Sequence, residues 1–340
     1  YLAALLGLVW AWGGTVLAWV TAWPLRYILA VAKALSKLPG AVLFTGNRMV
    51  VCWLVLVYVM FGAAWLISRR RKARYWIPAA CSVLALCAVL TVNAVQLQRT
   101  STVTALDVSQ GQSIVFSSGR ACAVVDCGGR STVEDPGDLA ARKLLAQGHR
   151  SLDLLVLTHP HDDHINGVLR LMHWLPVRTL VIPAAADTTK APLSDILALA
   201  AENHTTVVRV DAERTVTAGG ISVHLYPEPC AGQEDGSMIV LTSIGDYDTL
   251  VPGDVDSAAE VKFLSDCAYP SVELLLVGHH GSKKSTSDAW LDAIAPDDAI
   301  ISVGYNNYGH PTSDTLERLQ AHHIPIYRTD QMGDITVHLS

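Results

Sequence analysis

"LTHPHDDHING", residues 157–167, ends a predicted strand of apolar residues and places three histidines and two aspartates in six positions. His159 and His161 alternate along an extended segment, so both imidazoles can face one cation. Asp163 and His164 follow at the start of a helix, close enough to hold a second cation. Imidazole suits zinc, and carboxylate suits harder ions such as manganese. The stretch predicts a metal site rather than a polar loop whose histidines only cap and hydrogen-bond.

Further ligands of the same type follow two other predicted strands. "LVPGD" places Asp254 after one of them, where a carboxylate can bridge two ions, and "LLLVGHHGS" places His279 and His280 after another. Each is weak alone, because Asp254 could be a turn residue and a histidine pair could be structural. Together with the first cluster they predict a metal centre assembled from three strand ends.

Charge divides the chain into two parts. No Asp, Glu or His precedes Asp107, whereas ten Lys and Arg residues precede residue 100. The remainder holds 15 basic and 31 acidic residues, a net charge of −16, and all 13 histidines. We therefore predict a membrane part over residues 1–98, as part of a membrane domain, and a hydrolase domain over residues 99–340.

Three charge-free runs in the first part predict transmembrane helices: Tyr1–Trp23, Met49–Ser68 and Ile77–Leu97. Each is long enough to cross a bilayer as a helix, and soluble bundle helices, the alternative, seldom lack charge over about 20 residues. The segment "LRYILAVAKALSKLPG", residues 25–40, has apolar residues at helical spacing and predicts an amphipathic helix lying in the interface, with a loop helix as the alternative.

The basic loop "RRRKAR", Arg69–Arg74, sets the expected orientation. Short basic loops stay on the cytoplasmic side, so the third run leaves the membrane on the other face. We predict a multi-pass protein of the inner cell membrane whose C-terminal domain is extracytoplasmic.

Short β-type runs alternate with helical patterns from Thr102 onward. Because polar clusters fall at several strand ends, the pattern predicts two sheets covered by helices, an α/β architecture. The predicted strands and helices include "TVTALDV", "SIVFSS", "ACAVVDCGG", "DLAARKLLAQG", "LDLLVLTH", "GVLRLMHWL", "SMIVLTSI", "SAAEVKFLSDC", "SDAWLDAIA", "DTLERLQAH" and "DITVHL".

The motif "THPHDDH" resembles the His-x-His-x-Asp-His signature of the metallo-β-lactamase superfamily. More narrowly, residues 106–337 resemble the C-terminal part of ComEC-type competence DNA-internalisation channel proteins. The stretches that carry this resemblance are "LDVSQGQSIVF", "VVDCGG", "LTHPHDDHINGV", "DGSMIVL", "VPGD", "VGHHGSKKSTS", "SVGYNNYGHP" and "YRTDQMGDITV".

The resemblance implies a metallo-β-lactamase αβ/βα four-layer sandwich, preceded here by about three transmembrane helices. It also implies a metal-dependent phosphodiesterase that degrades the non-transported DNA strand during natural transformation. The implied cofactors are two divalent ions, Mn²⁺ or Zn²⁺. The implied partners are single-stranded DNA, the lipid bilayer and other competence DNA-uptake proteins, and homo-oligomerisation stays open.

Residue by residue, the resemblance assigns His159 and His161 to one metal. It assigns Asp163 and His164 to the second metal and makes Asp254 the bridge. His279 or His280 would complete the second site, and the sequence does not choose between them. Asp163 or Asp254 would orient the attacking water. The remaining expected residues could bind phosphate or protonate the leaving oxygen: Ser282, Lys283, Lys284, Tyr308 and His310.

Two positions depart from the family pattern. The segment "GQEDGSMIVL" contains no histidine where the superfamily places the third ligand of the first metal, and Glu234, Asp235 or water would fill that place, favouring a harder ion. Gln112 stands where the family has an acidic residue, which we expect to weaken a contact behind the metal ligands.

Two rival functions remain from the sequence alone. A membrane-tethered hydrolase of small esters, thioesters or phosphodiesters would use the same metal core. A degenerate scaffold domain is the second rival, supported by the missing histidine. The net charge of −16 also opposes DNA binding, which usually draws on Lys and Arg.

Overall fold

The computed structural model describes residues 7–35, 48–68, 75–131, 133–227 and 237–339. The basic loop Arg69–Arg74, Glu234 and Asp235 lie outside these described residues. The chain forms two compact units, residues 1–44 and residues 45–340.

Helix α1, Ala11–Leu35, belongs to the first unit. It continues through Pro24, so the expected boundary between a first apolar run and a separate amphipathic helix is not observed there. Pro24 costs the helix one backbone hydrogen bond, but the apolar residues on both sides favour the helix. The helix therefore continues through the proline.

Helices α2, Arg48–Ser68, and α3, Trp76–Arg99, pack together in the second unit. The indole Nε1 of Trp53 donates a hydrogen bond of 2.8 Å to the carbonyl of Ser82 and so ties α2 to α3. All three helices are long and apolar enough to cross a membrane, and their side chains are largely exposed in the structure. The chain is therefore a membrane protein.

The rest of the second unit contains two seven-stranded sheets, both mixed. The first sheet has the order β14-β1-β2-β3-β4-β5-β6: Ile335–Leu339, Ser101–Ala105, Ile114–Ser118, Ala121–Val125, Leu152–Val156, Val177–Pro183 and Thr206–Val210. The second has the order β13-β12-β11-β10-β9-β8-β7: Ile326–Arg328, Asp298–Ile301, Leu274–Leu276, Tyr247–Val251, Ile239–Ile244, Ile221–Tyr226 and Arg214–Ala218.

Helices cover the outer faces of the two sheets. On the first sheet lie α4 Pro136–Ala146, α5 Asp162–Ile165, α6 Val168–Trp174 and α7 Leu193–Glu202. On the second lie α8 Ser257–Asp266, α9 Asp288–Ile294 and α10 Ser313–Ala321, and a short helix α11, Thr329–Met332, precedes β14.

Alternation along the strands creates three apolar layers. In β3, Val124 packs under the helices of the first sheet, whereas Ala123 and Val125 point into the layer between the sheets. A strand with apolar residues at every position can bury both faces, as covered sheets require. The four-layer αβ/βα sandwich expected from the resemblance is confirmed.

Three elements had no counterpart in the sequence prediction: α7, α11 and β7. Strand β7 carries Arg214, Thr215 and Thr217 and lies at a sheet edge with most positions exposed. Its apolar positions are Val216 and Ala218, which alternate with threonines, but an alternation of two apolar residues is too short to distinguish a strand from a loop.

Candidate metal centre

Three chain segments meet at the edge where the parallel strands end. The segment after β4 carries His159, the segment after β10 carries Asp254, and the segment after β11 carries His280. Gly253 lets the segments from the two sheets approach closely here. Its φ is 61°, and an added Cβ would lie 3.2 Å from Cβ of Thr158. Any other residue would be strained and crowded at this position.

His159, His161 and Asp254 form the outer group. One ligand atom of each lies within 4.8 Å of the others. His159 is buried, with Nε2 3.7 Å from Oδ2 of Asp254, whereas His161 is exposed. The rings of His159 and His161 meet edge to face at 4.5 Å between centroids. The outer group is thus half open to solvent.

His164, Asp254 and His280 form the inner group, and all three are buried. Oδ1 of Asp254 lies 3.2 Å from Nε2 of His164 and 3.9 Å from Nε2 of His280. Because Oδ2 faces His159 and Oδ1 faces His164, the Asp254 carboxylate lies between the two groups. This is the arrangement of a bridging ligand.

The structure distinguishes the two neighbouring histidines that the sequence left open. His280 is buried in the inner group, and its Nδ1 lies 2.9 Å from the carbonyl of Ser302. The side chain of His279 is 40% exposed, with Nε2 3.6 Å from Oδ2 of Asp254. Both residues have positive φ, 52° and 54°, and this tight turn directs them differently. Oδ2 of Asp163 lies 3.8 Å from Nε2 of His280, beside the inner group.

Asp126, directly after β3, holds the inner group from behind. It is fully buried and accepts hydrogen bonds from the backbone N–H of Thr158 at 2.7 Å and from Oγ1 of Thr158 at 2.7 Å. Nδ1 of His164 lies 2.7 Å from its Oδ2. This contact favours the His164 tautomer that leaves Nε2 directed at Asp254. No role of Asp126 was predicted from the sequence.

Gln112 also contacts Asp126, through Nε2 at 2.8 Å from Oδ2. An acidic residue at this position would place a second carboxylate against Asp126, whereas the amide donates a hydrogen bond. The contact behind the ligands is therefore present in this chain, and Gln112 adds a fourth hydrogen bond to the Asp126 carboxylate.

Burial and coupling set the charges of the cluster. Burial opposes protonation of His164, but the carboxylates of Asp254 and Asp126 outweigh it and raise the pKa of His164 well above its ordinary value. Burial likewise opposes ionisation of Asp254, but His164, His280 and His159 outweigh it and hold its pKa well below the ordinary value. Burial lowers the pKa of His159 and of His280, so both imidazoles are neutral and can offer a nitrogen lone pair to a cation.

The donor set fits divalent cations. Nε2 of His159 and Nε2 of His280 are buried and find no hydrogen-bond partner among the described residues. Their Nδ1 atoms lie 3.0 Å from Oγ1 of Thr158 and 2.9 Å from the carbonyl of Ser302. Buried polar atoms without partners are costly, and a cation would satisfy both nitrogens.

A pocket of about 470 Å³ opens above the two groups. Its described lining includes Tyr308 and His310, as the sequence predicted, together with Arg130 and Gln110, which it did not. Nη1 of Arg130 donates a hydrogen bond of 3.1 Å to the Tyr308 hydroxyl. The guanidinium therefore stands at the rim, where it can meet an anionic substrate.

Ser282, Lys283 and Lys284, which the sequence analysis expected to bind phosphate, do not belong to the described lining of this pocket. The reason is that their loop is tied away from the site. The carbonyl of Lys284 accepts a hydrogen bond from the backbone N–H of Ser257, and Oγ of Ser285 donates to the carbonyl of Val255. Ser282 is buried, and both lysine side chains are exposed.

Residues 106–305 match the Metallo-beta-lactamase superfamily, which covers more than half of the chain. The chain belongs to the metallo-β-lactamase superfamily. Membership indicates a metal-dependent hydrolase, and members of this superfamily bind divalent metals. The two groups that share Asp254 could hold such metals in this chain.

Relatives confirm the narrower resemblance to ComEC-type proteins. "ComE operon protein 3" of Bacillus subtilis (strain 168) is 29% identical over 249 residues, which is 68% of this chain and 32% of that protein. "Competence protein ComA" of Neisseria gonorrhoeae is 30% identical over 243 residues, 68% of this chain and 31% of that protein. The chain spans about a third of the length of the curated relatives that it matches.

A solved structure with a similar fold is the metallo-β-lactamase fold protein YhfI of Bacillus subtilis. It is 13% identical in sequence, covers 71% of this chain and all of its own length, and superposes with a TM-score of 0.49.

Proposed function

We propose that residues 99–340 form a metal-dependent phosphodiesterase that degrades one strand of DNA during uptake through a membrane protein. The observation that carries the proposal is the Asp254 carboxylate between two imidazole groups, beneath a pocket with a cationic rim. Phosphodiester hydrolysis needs charge neutralisation on both sides of the reacting phosphorus, which such a centre provides. The competence proteins among the relatives supply the link to DNA.

Divalent cations held by the inner and outer groups would polarise a phosphoryl oxygen and activate a water molecule for attack. The chain itself positions the reactants. Asp163 and Asp254 offer carboxylate oxygens that can orient the attacking water. Arg130 at the rim can bind a non-bridging phosphate oxygen through its guanidinium.

His310 is the best placed donor for the leaving oxygen. Its ring centroid lies 5.6 Å from that of His279, and burial, aided by His279, lowers its pKa. A bound phosphate would add negative charge beside the imidazole and raise that pKa again. His310 would then carry its proton mainly when substrate is present, which is the state in which a leaving alkoxide needs it.

The acidic character of the domain limits its intrinsic DNA affinity. Tethering beside a channel raises the effective concentration of the strand, so a weak site suffices. In this proposal the domain lies on the extracytoplasmic side of the inner membrane, and residues 1–98 form its membrane part. Other competence proteins would be the partners that deliver DNA.

Cleavage of a fluorescent single-stranded oligonucleotide by the detergent-solubilised chain tests the proposal. We expect activity with Mn²⁺ or Zn²⁺, none with EDTA, and a loss on the order of a thousandfold in Asp254→Asn. Asp211→Asn, an exposed aspartate in the turn before β7, is the matched control and should retain activity. Cleavage that persists in EDTA, or equal activity of the two variants, contradicts the proposal.

Substrate class is tested with the same samples. If the chain hydrolyses a small ester or thioester but no oligonucleotide, the small-molecule hydrolase is supported instead. If it binds no metal and hydrolyses nothing, the domain is a scaffold.

The pocket rim gives a second test of phosphate recognition. Arg130→Gln should raise KM for the oligonucleotide about tenfold with little change in kcat, because it removes one charge-assisted contact. The double variant Lys283→Gln, Lys284→Gln removes two charges from the neighbouring loop and should leave KM within about twofold. A larger increase of KM in the lysine double variant than in Arg130→Gln would assign phosphate binding to the lysines instead.

A further inference from the structure

The amino ends of the parallel strands form a second edge, opposite the metal centre. Strands β3, β4 and β5 are parallel and begin at Ala121, Leu152 and Val177. The metal-binding segments follow their carboxyl ends instead. A five-residue strand spans about 17 Å. The amino edge and the metal-bearing edge are therefore at least one strand length apart.

The amino edge is also where the candidate membrane helix enters the domain. Helix α3 ends at Arg99 and β1 begins at Ser101, so Thr100 alone connects them. The carbonyl of Thr100 accepts a hydrogen bond from the backbone N–H of Gly119, in the turn between β2 and β3. The connection leaves little freedom for the domain to turn its metal edge toward the end of α3.

A cavity of about 1010 Å³ lies between α3 and this edge. Leu90, Asn93 and Ala94 of α3 form one wall. These residues fall inside the candidate membrane span Trp76–Gln96. The domain edge therefore stands beside the last turns of the candidate membrane helix. The end of a helix that crosses the bilayer lies near the lipid headgroups.

The facing wall is cationic. Arg120, Arg150 and Arg178 line the cavity and are exposed. Arg178 donates from Nη1 to Oδ1 of Asp153 at 2.8 Å, yet its side chain remains 70% exposed. Asp153 is the single acidic residue among the described lining residues, so this edge is positive within a strongly acidic domain.

We propose that Arg120, Arg150 and Arg178 bind the phosphate groups of anionic phospholipids and dock the domain on the bilayer. Guanidinium groups bind phosphate oxygens in bidentate fashion, and anionic leaflets attract basic clusters next to membrane helices. Docking of this edge points the opposite, metal-bearing edge into the aqueous phase. A nucleic acid is the less suitable occupant, because a strand held here would lie across the sheet from the metal centre.

Native mass spectrometry of the solubilised chain tests lipid binding. We expect phosphatidylglycerol to be retained over phosphatidylcholine, and Arg120→Gln with Arg150→Gln and Arg178→Gln to reduce that preference about threefold or more. The control Lys190→Gln with Arg209→Gln and Arg214→Gln removes three exposed basic groups elsewhere on the domain and should keep the preference. A variant with all three arginines replaced by lysine should retain part of the preference for phosphatidylglycerol. Lysine keeps the positive charge but cannot form the bidentate contact of a guanidinium.

Photo-crosslinking in nanodiscs tests placement with all three arginines intact. A benzophenone side chain at position 217, on the cavity wall, should crosslink phosphatidylglycerol, and one at position 211 should not. Equal crosslinking at the two positions overturns the proposal. So does equal retention of both lipids, or loss of oligonucleotide binding in the triple Gln variant with lipid retention unchanged. Neither measurement depends on phosphodiesterase activity.

Discussion

The inner and outer groups share Asp254 but differ in how the fold supports them. In the inner group every ligand is buried, and Asp126 and the Ser302 carbonyl hold the two imidazoles from behind. In the outer group His161 is exposed, and its described set contains two histidines and the shared carboxylate. Supporting hydrogen bonds orient ligands and raise affinity, so the inner group should bind its ion more tightly.

The largest expected effect comes from removing an inner ligand. His280→Gln should weaken binding of the more tightly held ion by a factor on the order of a thousand. The reason is that Nε2 of His280 is a direct metal ligand in a fully buried group. Isothermal titration of the metal-stripped chain with Mn²⁺ or Zn²⁺ measures it. His323→Gln, a substitution in the exposed turn before β13, is the control and should leave both binding steps unchanged. An unaffected tight step in His280→Gln would show that the inner group is not the tighter one.

Asp126→Asn tests the support behind the inner group. The amide cannot accept from Thr158 and His164 as the carboxylate does, so the tighter affinity should fall about 10- to 100-fold. The weaker step should change less, because Asp126 reaches the outer ligand His159 only indirectly, through Oγ1 of Thr158, whereas it contacts His164 directly. Asp248→Asn, on β10 away from the metal edge, should change neither step. Equal weakening of both steps would mean that the groups are not separately supported.

His161→Gln should act on the outer group alone. We expect about a tenfold loss of affinity at the weaker step and a tighter step within about twofold of the parent. The reason is that His161 is exposed and belongs to the outer group, not to the inner one. The same titration provides the measurement. Loss of the tighter step in this variant would reverse the assignment of the two affinities.

The smallest expected effect is a pH dependence of the metal-free chain. The folded pKa of His164 lies above its unfolded value of about 6.5, so its stabilisation is complete below that pH and is lost as pH rises through the folded pKa. His159 and His280 have lowered pKa values, so they weaken the fold only below about pH 6.5. Above pH 6.5 the Tm of the metal-free chain should therefore fall, and bound metal should remove this slope. A Tm that rises over this range contradicts the charge assignment.

The proximity of the candidate ligands was predictable because these residues follow strand ends. Parallel strands bring their carboxyl ends to one edge, so His159, His164 and Asp254 could be grouped from the sequence. The choice between His279 and His280 was not predictable, since both have left-handed φ values in one tight turn. Such a turn decides which imidazole enters the site, and the residue types alone do not encode it.

The sequence did not reveal the contacts that depend on packing across the sandwich. Arg130 and Tyr308 are 178 positions apart in the sequence and meet only in the folded chain, so no local pattern indicated this contact. Lys283 and Lys284 stand in a motif near the ligands, yet hydrogen bonds from the helix side turn their loop outward. Strand β7 escaped detection because its apolar alternation consists of Val216 and Ala218 alone.

The stoichiometry of bound divalent cations tests the central claim most directly. Elemental analysis after dialysis against Mn²⁺ or Zn²⁺ should find two ions per chain, and fewer than one in Asp254→Asn, because this carboxylate lies between both groups. Two ions retained in Asp254→Asn, or none in the parent chain, would contradict an Asp254-bridged metal centre.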